Sequence, residues 1–155
     1  MVYKVAILGD GGVGKTVILA RLQGMEFTGK YMSTLGSSTA ELDVPTTIGS
    51  VSIDFKDFAG QDRFISIVSQ EFNRFNPDLV LVVGDVASKI TIKNMQKWID
   101  IANGYPILLV YNKTDIGKAS VSKLIPWLRT WPQRHFRRST VKMQLTTTFL
   151  HLNKQ

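Results

Sequence analysis

Residues Gly9-Asp10-Gly11-Gly12-Val13-Gly14-Lys15-Thr16 constrain this chain more than any other stretch. They fit the pattern of a glycine, four residues, Gly-Lys and then Ser or Thr, a loop built to wrap a phosphate. Val2-Tyr3-Lys4-Val5-Ala6-Ile7-Leu8 ahead of it is mostly apolar and predicts a strand. Val17-Ile18-Leu19-Ala20-Arg21-Leu22 behind it predicts the first turns of a helix. A strand, a glycine turn and a helix N-terminus bring several backbone N–H groups and the helix dipole around one anion. Glycines let the backbone approach that anion with no Cβ in the way. Lys15 has the reach for terminal phosphates, and the Thr16 hydroxyl suits Mg²⁺. Candidate contacts are therefore Gly11, Gly12, Val13, Gly14, Lys15, Thr16 and Val17. The plain alternative is a glycine-rich hairpin carrying a lysine, which the flanking strand and helix disfavour.

Chain length and composition set the frame. The 155 residues suit one domain, and 44% hydrophobic content is enough for a full core. Cysteine is absent, which excludes disulfides, cysteine–metal sites, palmitoylation and a prenylated cysteine. Val2 excludes N-myristoylation, and no apolar run reaches membrane-spanning length. A soluble intracellular protein without a lipid anchor is the expectation. The net charge of +7 is uneven. Residues 1–112 carry 10 Lys and Arg against 11 Asp and Glu, whereas residues 113–155 carry 9 against 1. Arg134, Arg137 and Arg138 beside His135 are either a surface for an acidic partner or a solvated face.

Apolar segments predict strands at 2–8, 51–58, 79–84 and 107–111, and helical patterns fall at about 15–24, 65–75, 90–102 and 121–130. Leu79-Val80-Leu81-Val82-Val83 and Ile107-Leu108-Leu109-Val110 are continuous apolar runs, as strands buried on both faces require. Alternating strands and helices imply an α/β fold with a parallel sheet, right-handed crossovers and ligands at the strand C-terminal ends. Residues 38–45 and 48–56 break that rhythm. Thr39, Glu41 and Asp43 alternate with Ala40, Leu42 and Val44, which predicts an antiparallel edge hairpin turning at Pro45-Thr46-Thr47.

Three further motifs turn a phosphate site into a guanine-nucleotide site. Asp57-Phe58-Ala59-Gly60-Gln61-Asp62 follows the strand ending at Lys56. An aspartate there can hold Mg²⁺, Gly60 lets a backbone N–H approach the γ-phosphate, and Gln61 can orient an attacking water. Asn112-Lys113-Thr114-Asp115 follows the apolar run ending at Tyr111. The Asp115 carboxylate can accept guanine N1–H and its exocyclic amine, whereas adenine would leave the charge unpaired. Thr34, in the loop Tyr31-Met32-Ser33-Thr34-Leu35-Gly36, can offer the metal a second hydroxyl.

With these residues in this order, the chain resembles the Ras superfamily of small GTPases, and most closely its Ran branch, which serves nuclear transport. The resemblance rests on the phosphate loop, on Lys30-Tyr31 with Thr34-Leu35-Gly36, and on Ala59-Gly60-Gln61 with Phe64. It continues through Asp85-Val86, Ser88, Thr91, Lys93-Asn94 and Trp98 to Asn112-Lys113 with Asp115-Ile116. It implies a single domain over residues 1–155, with a mostly parallel six-stranded sheet, one antiparallel edge strand and helices on both faces. Lys15 would contact the β- and γ-phosphates, and Thr16, Thr34 and Asp57 would hold Mg²⁺. Gln61, Lys15 and Thr34 would serve catalysis. Phe27 and Tyr31 would contact the nucleotide, Phe27 by packing on the guanine, while Asn112, Lys113 and Asp115 would fix it. The cofactors implied are GTP or GDP and Mg²⁺. The partners implied are importin-type receptors, an exchange factor and a GTPase-activating protein, around a monomer shared between nucleus and cytoplasm.

The sequence departs from that pattern in places. Phe58 stands where the family has Thr, a change at a side chain that is not a ligand. Thr140-Val141-Lys142 is the best match to the family's Ser-Ala-Lys loop, which acts mainly through a backbone N–H. The segment before it, Arg134-His135-Phe136-Arg137-Arg138-Ser139, reads poorly as a core strand. A last helix over 146–154 is short, and the Ran branch's acidic tail has no counterpart in this sequence. An atypical or shortened last strand and helix are expected. These departures keep a second reading open, a truncated Ran-like binding module that occupies transport factors without an efficient cycle. A nucleic-acid-binding role for residues 113–155 is the weakest reading, since no RNA-reading motif surrounds the basic residues.

Overall fold

The computed structural model describes residues 2–25, 37–47 and 49–116. In chain order these form β1 (Val2–Gly9), α1 (Lys15–Leu22), β2 (Ser37–Thr46) and β3 (Gly49–Phe58). A single 3₁₀ turn, Asp62–Phe64, leads into α2 (Ile65–Phe75), then β4 (Leu79–Asp85), α3 (Lys89–Ile101) and β5 (Ile107–Asn112). The sheet runs in the order β2-β3-β1-β4-β5. Strands β1, β3, β4 and β5 are parallel, and β2 alone runs antiparallel, on β3. The α/β architecture with one antiparallel edge strand is thus as the alternation predicts. The described residues supply five strands. The sixth strand expected near 134–139, the helix patterns at 121–130 and 146–154, and the basic cluster all lie outside them.

Both faces of the sheet are covered. On one, Ala6, Leu8, Phe58, Val80 and Val82 pack against Val68 and Phe72 of α2 and Ile92, Met95, Trp98 and Ile99 of α3. On the other, Val5, Ile7, Phe55, Leu81 and Val83 pack with Leu19 of α1 and with Val13 from the phosphate loop. Successive strand residues point to opposite faces, so β4 needs apolar side chains at every position, as its continuous run provides. Phe58 also meets Phe72 and Phe75 edge-on, at centroid distances of 6.1 and 6.2 Å. Phe58 is therefore a core member of the α2 face.

Local chemistry sets the boundaries. Helix α1 ends at Leu22, two residues before the predicted limit, because Gly24 turns out at φ +77° with its N–H on the Arg21 carbonyl. Asn76 closes α2 in the left-handed conformation and donates its N–H to the Phe72 carbonyl at 3.0 Å. The edge hairpin turns later than its sequence predicts. Pro45, expected at the junction of strand and turn, and Thr46, expected in the turn, are strand residues paired with Ser50 and Gly49. An edge strand tolerates Pro because one of its N–H rows faces away from the sheet. Ile48, expected to open the returning strand, lies outside the described residues.

Candidate functional site

The phosphate loop leaves the C-terminal end of β1, in the middle of the sheet, and enters α1 at Gly14. That glycine sits at φ +99°, and a Cβ there would collide with the Asn112 amide. The next residue, Lys15, is only 6% exposed although it is a lysine. Its Nζ donates to the Gly9 carbonyl at 2.9 Å and the Asp10 carbonyl at 2.8 Å. Burial pushes the Lys15 ammonium below its ordinary pKa, against the pull of the Asp57 and Asp10 carboxylates.

Asp57, at the end of β3, is fully buried. The Thr16 hydroxyl donates to its Oδ2 at 2.5 Å. A hydroxyl and a carboxylate so placed are the hard oxygen donors that Mg²⁺ selects, so the donor set fits that ion. Gly60 lies hard against the loop. A Cβ at this position would run into the Gly9 carbonyl, the Asp10 backbone and the Lys15 ammonium, so only glycine brings this backbone so close to the phosphate cradle. Gln61 follows, and its carbonyl accepts the Phe64 N–H at 2.9 Å, closing the 3₁₀ turn. Asp10, Gly11, Gly60, Gln61, Asp62, Ile90, Thr91 and Lys97 line an open cleft of about 380 Å³.

From the other side, the end of β5 reaches back to the same loop. Asn112 donates its side-chain amide to the Val13 carbonyl at 2.9 Å. Lys113, at φ +61°, donates to the Gly12 carbonyl at 2.7 Å and pairs with Asp85 Oδ2 at 2.7 Å. Asp115 is exposed in the turn that follows. The base-reading candidates therefore hang on the phosphate loop by direct bonds, across 99 and 101 residues of sequence.

The fold thus gathers Gly11, Gly12, Val13, Gly14, Lys15, Thr16, Asp57, Gly60, Gln61, Asn112 and Lys113 around one end of the sheet. Of these, Val13 is drawn into the core beneath the loop and presents its backbone rather than its side chain. Phe27, Tyr31, Thr34, Thr140, Val141 and Lys142 lie outside the described residues. Sequence reasoning gave Asp10 no role, yet its carboxylate joins the loop to α3. Oδ1 accepts the Trp98 indole N–H at 2.8 Å and Oδ2 accepts the Asn94 amide at 2.7 Å. Asn and Trp four residues apart on one helix face, with a carboxylate inside a phosphate loop, are the signal that could have found it.

Among the described residues no helix is long and apolar enough to cross a membrane. Compared with known protein families, the chain matches the Ras family model over residues 4–148.

Proposed function

The chain belongs to the Ras family, a small GTP-binding switch with the GTPase activity of that family, and from this premise we propose how its own residues perform the cycle. The observation that carries the proposal is the double attachment of one loop. Lys15 and the loop amides take the phosphates, while Asn112 and Lys113, bonded to the Val13 and Gly12 carbonyls, set the guanine at a fixed distance from them. Asp115 accepts the guanine N–H pair. Thr16 and Asp57, with Thr34, hold Mg²⁺, which when bound neutralises phosphate charge. Gly60 donates its N–H to the γ-phosphate and Gln61 orients the attacking water, so the segment after β3 responds to whether that phosphate is present. Phe27 and Tyr31 complete the nucleotide pocket, and Thr140, Val141 and Lys142 contribute through backbone to the base side. Turnover without an arginine from a partner is on the order of 10⁻⁴ to 10⁻² s⁻¹.

The partner set we propose is that of a Ran-like switch, acting on importin-type receptors and served by an exchange factor and a GTPase-activating protein. Support comes from Asn94 and Trp98, two residues of the resemblance that bond the phosphate loop through Asp10. The test of the base assignment is Asp115→Asn. Exchanging the carboxylate for an amide inverts one acceptor to a donor and should move preference from guanine to xanthine nucleotide by at least tenfold in competition binding. A variant that keeps its guanine preference refutes the assignment. Protein that copurifies with ATP or ADP, identified by chromatography after denaturation, refutes the guanine reading as a whole.

A further inference from the structure

Lys97 has no part in the chemistry above, yet two carboxylates from different elements converge on it. Its Nζ lies 3.0 Å from Asp10 Oδ1 in the phosphate loop and 2.5 Å from Asp62 Oδ1 in the 3₁₀ turn. Helix α3 fixes the lysine from behind. The neighbouring Trp98 is fully buried, and the Lys97 ammonium lies over its ring at 5.3 Å from the centroid. Partial burial opposes the charge, but the hydrogen bonds to Asp62 and Asp10 and their negative charges outweigh it and hold the Lys97 pKa above the ordinary lysine value. It is a cation across the physiological range. Lys97 also borders the cleft that Gly60 and Gln61 line.

We infer that Lys97 is a positioning residue for hydrolysis: by strapping Asp62 to Asp10, it sets where Gln61 stands relative to the phosphate loop. The geometry is short and direct. Asp62 is the next residue after Gln61, and the turn it opens closes on the Gln61 carbonyl. An anchor on Asp62 therefore constrains the backbone that carries Gln61. Asp62 itself has a side chain 80% exposed, so the pair adds little to overall stability. Its effect is local, on the orientation of one segment against another. Misplacement of a water-orienting group by a fraction of an ångström is felt in the rate long before it is felt in folding.

This inference rests on the reading of Gln61 as the water-orienting residue of a GTPase. The experiment is single-turnover hydrolysis of preloaded GTP, beside release of a fluorescent GDP analogue, for wild type, Lys97→Met, Lys97→Arg and Asp62→Asn. Lys97→Met should lower the hydrolysis constant roughly three- to tenfold while GDP release stays within about twofold. Lys97→Arg should restore most of the rate. Added salt should slow wild type and leave Lys97→Met unchanged, because only the former uses a partly exposed ion pair. Asp62→Asn combined with Lys97→Met should be no slower than either alone. Hydrolysis unchanged in Lys97→Met, or hydrolysis and release altered together, overturns the positioning role. Wild-type protein that binds GTP but cleaves none overturns the GTPase reading and the role with it, an outcome distinct from a normal wild-type rate beside an unaffected variant.

Discussion

The phosphate loop is held from two sides, and the two attachments use opposite chemistry. Toward β5, the donors are side chains, Asn112 and Lys113, and the acceptors are backbone carbonyls of Val13 and Gly12. Toward α3, the acceptor is one side chain, Asp10, and the donors are Trp98, Asn94 and Lys97. Backbone carbonyls are present whatever residues occupy positions 12 and 13, so the β5 bonds draw no side chain from the loop and depend on residues far away. Gly14, however, must stay glycine to clear the Asn112 amide. The α3 side depends on a single carboxylate. Loss of that carboxylate takes the acceptor from Asn94 and from the fully buried Trp98, and leaves Lys97 with Asp62 alone. On the function proposed above, the difference separates two tasks: the β5 side would tie base recognition to phosphate binding, and the α3 side would tie phosphate binding to the segment that carries Gln61.

Three substitutions test that contrast, beyond those given above for Asp115 and Lys97. Asp10→Ala should have the largest effect, about 2–4 kcal/mol of stability in urea unfolding, because the buried Trp98 indole and the half-buried Asn94 amide lose their acceptor together. Asp10→Asn, which keeps one acceptor oxygen, should recover part of it. Asn112→Ala removes one bond, to the carbonyl of buried Val13, and should cost about 1–2 kcal/mol while speeding nucleotide release. Equal costs for Asp10→Ala and Asn112→Ala would erase the distinction between the two sides.

The smallest effect belongs to a third attachment, at the outer edge of the sheet. Ser37, the first residue of β2, donates its hydroxyl to Glu71 of α2 at 2.9 Å, and Lys56 pairs with the same carboxylate at 3.4 Å. The Ser37 bond, helped by Lys56 and opposed by burial, holds Glu71 below the usual 4.5. Because the folded pKa is the lower one, the stabilisation is full above 4.5 and disappears as pH falls through the lowered value. Wild type should therefore lose its advantage over Glu71→Gln on acidification through that window. Their unfolding midpoints, compared at pH 7 and at successively lower pH, should differ modestly and then converge. A difference that grows on acidification would contradict the assigned pairing.

Most of the site was legible in the sequence because its motifs follow strand ends directly. Asp57, Gly60 and Asn112 sit at or within two residues of a strand end, Lys15 and Thr16 follow β1 through the glycine loop, and in a parallel sheet those ends converge on one edge. The hairpin was legible in kind but not in register. Alternation in residues 39–44 fixes which side chains face inward, yet says nothing about which pair is last before the turn, so the pairing of Thr46 with Gly49 is not readable from it. Asp10, Asn94, Trp98 and Lys97 carry no such positional signal. Their meeting depends on how α3 lies across β1 and β4, which no local pattern encodes.

The sequence by itself determined an α/β fold with a phosphate-binding loop, in a chain that belongs to the Ras family of small GTP-binding switches. Glycine spacing, apolar periodicity and the order of the motifs are local or nearly local properties, and each has a direct physical consequence for the backbone. Only the tertiary structure decided that one aspartate inside the phosphate loop is the hub joining it to α3 and, through Lys97, to Asp62. Side chains 84 and 88 residues apart came within hydrogen-bond reach there because burying Trp98 and Met95 beneath the sheet fixes the helix. Packing of the apolar face chose the polar neighbours.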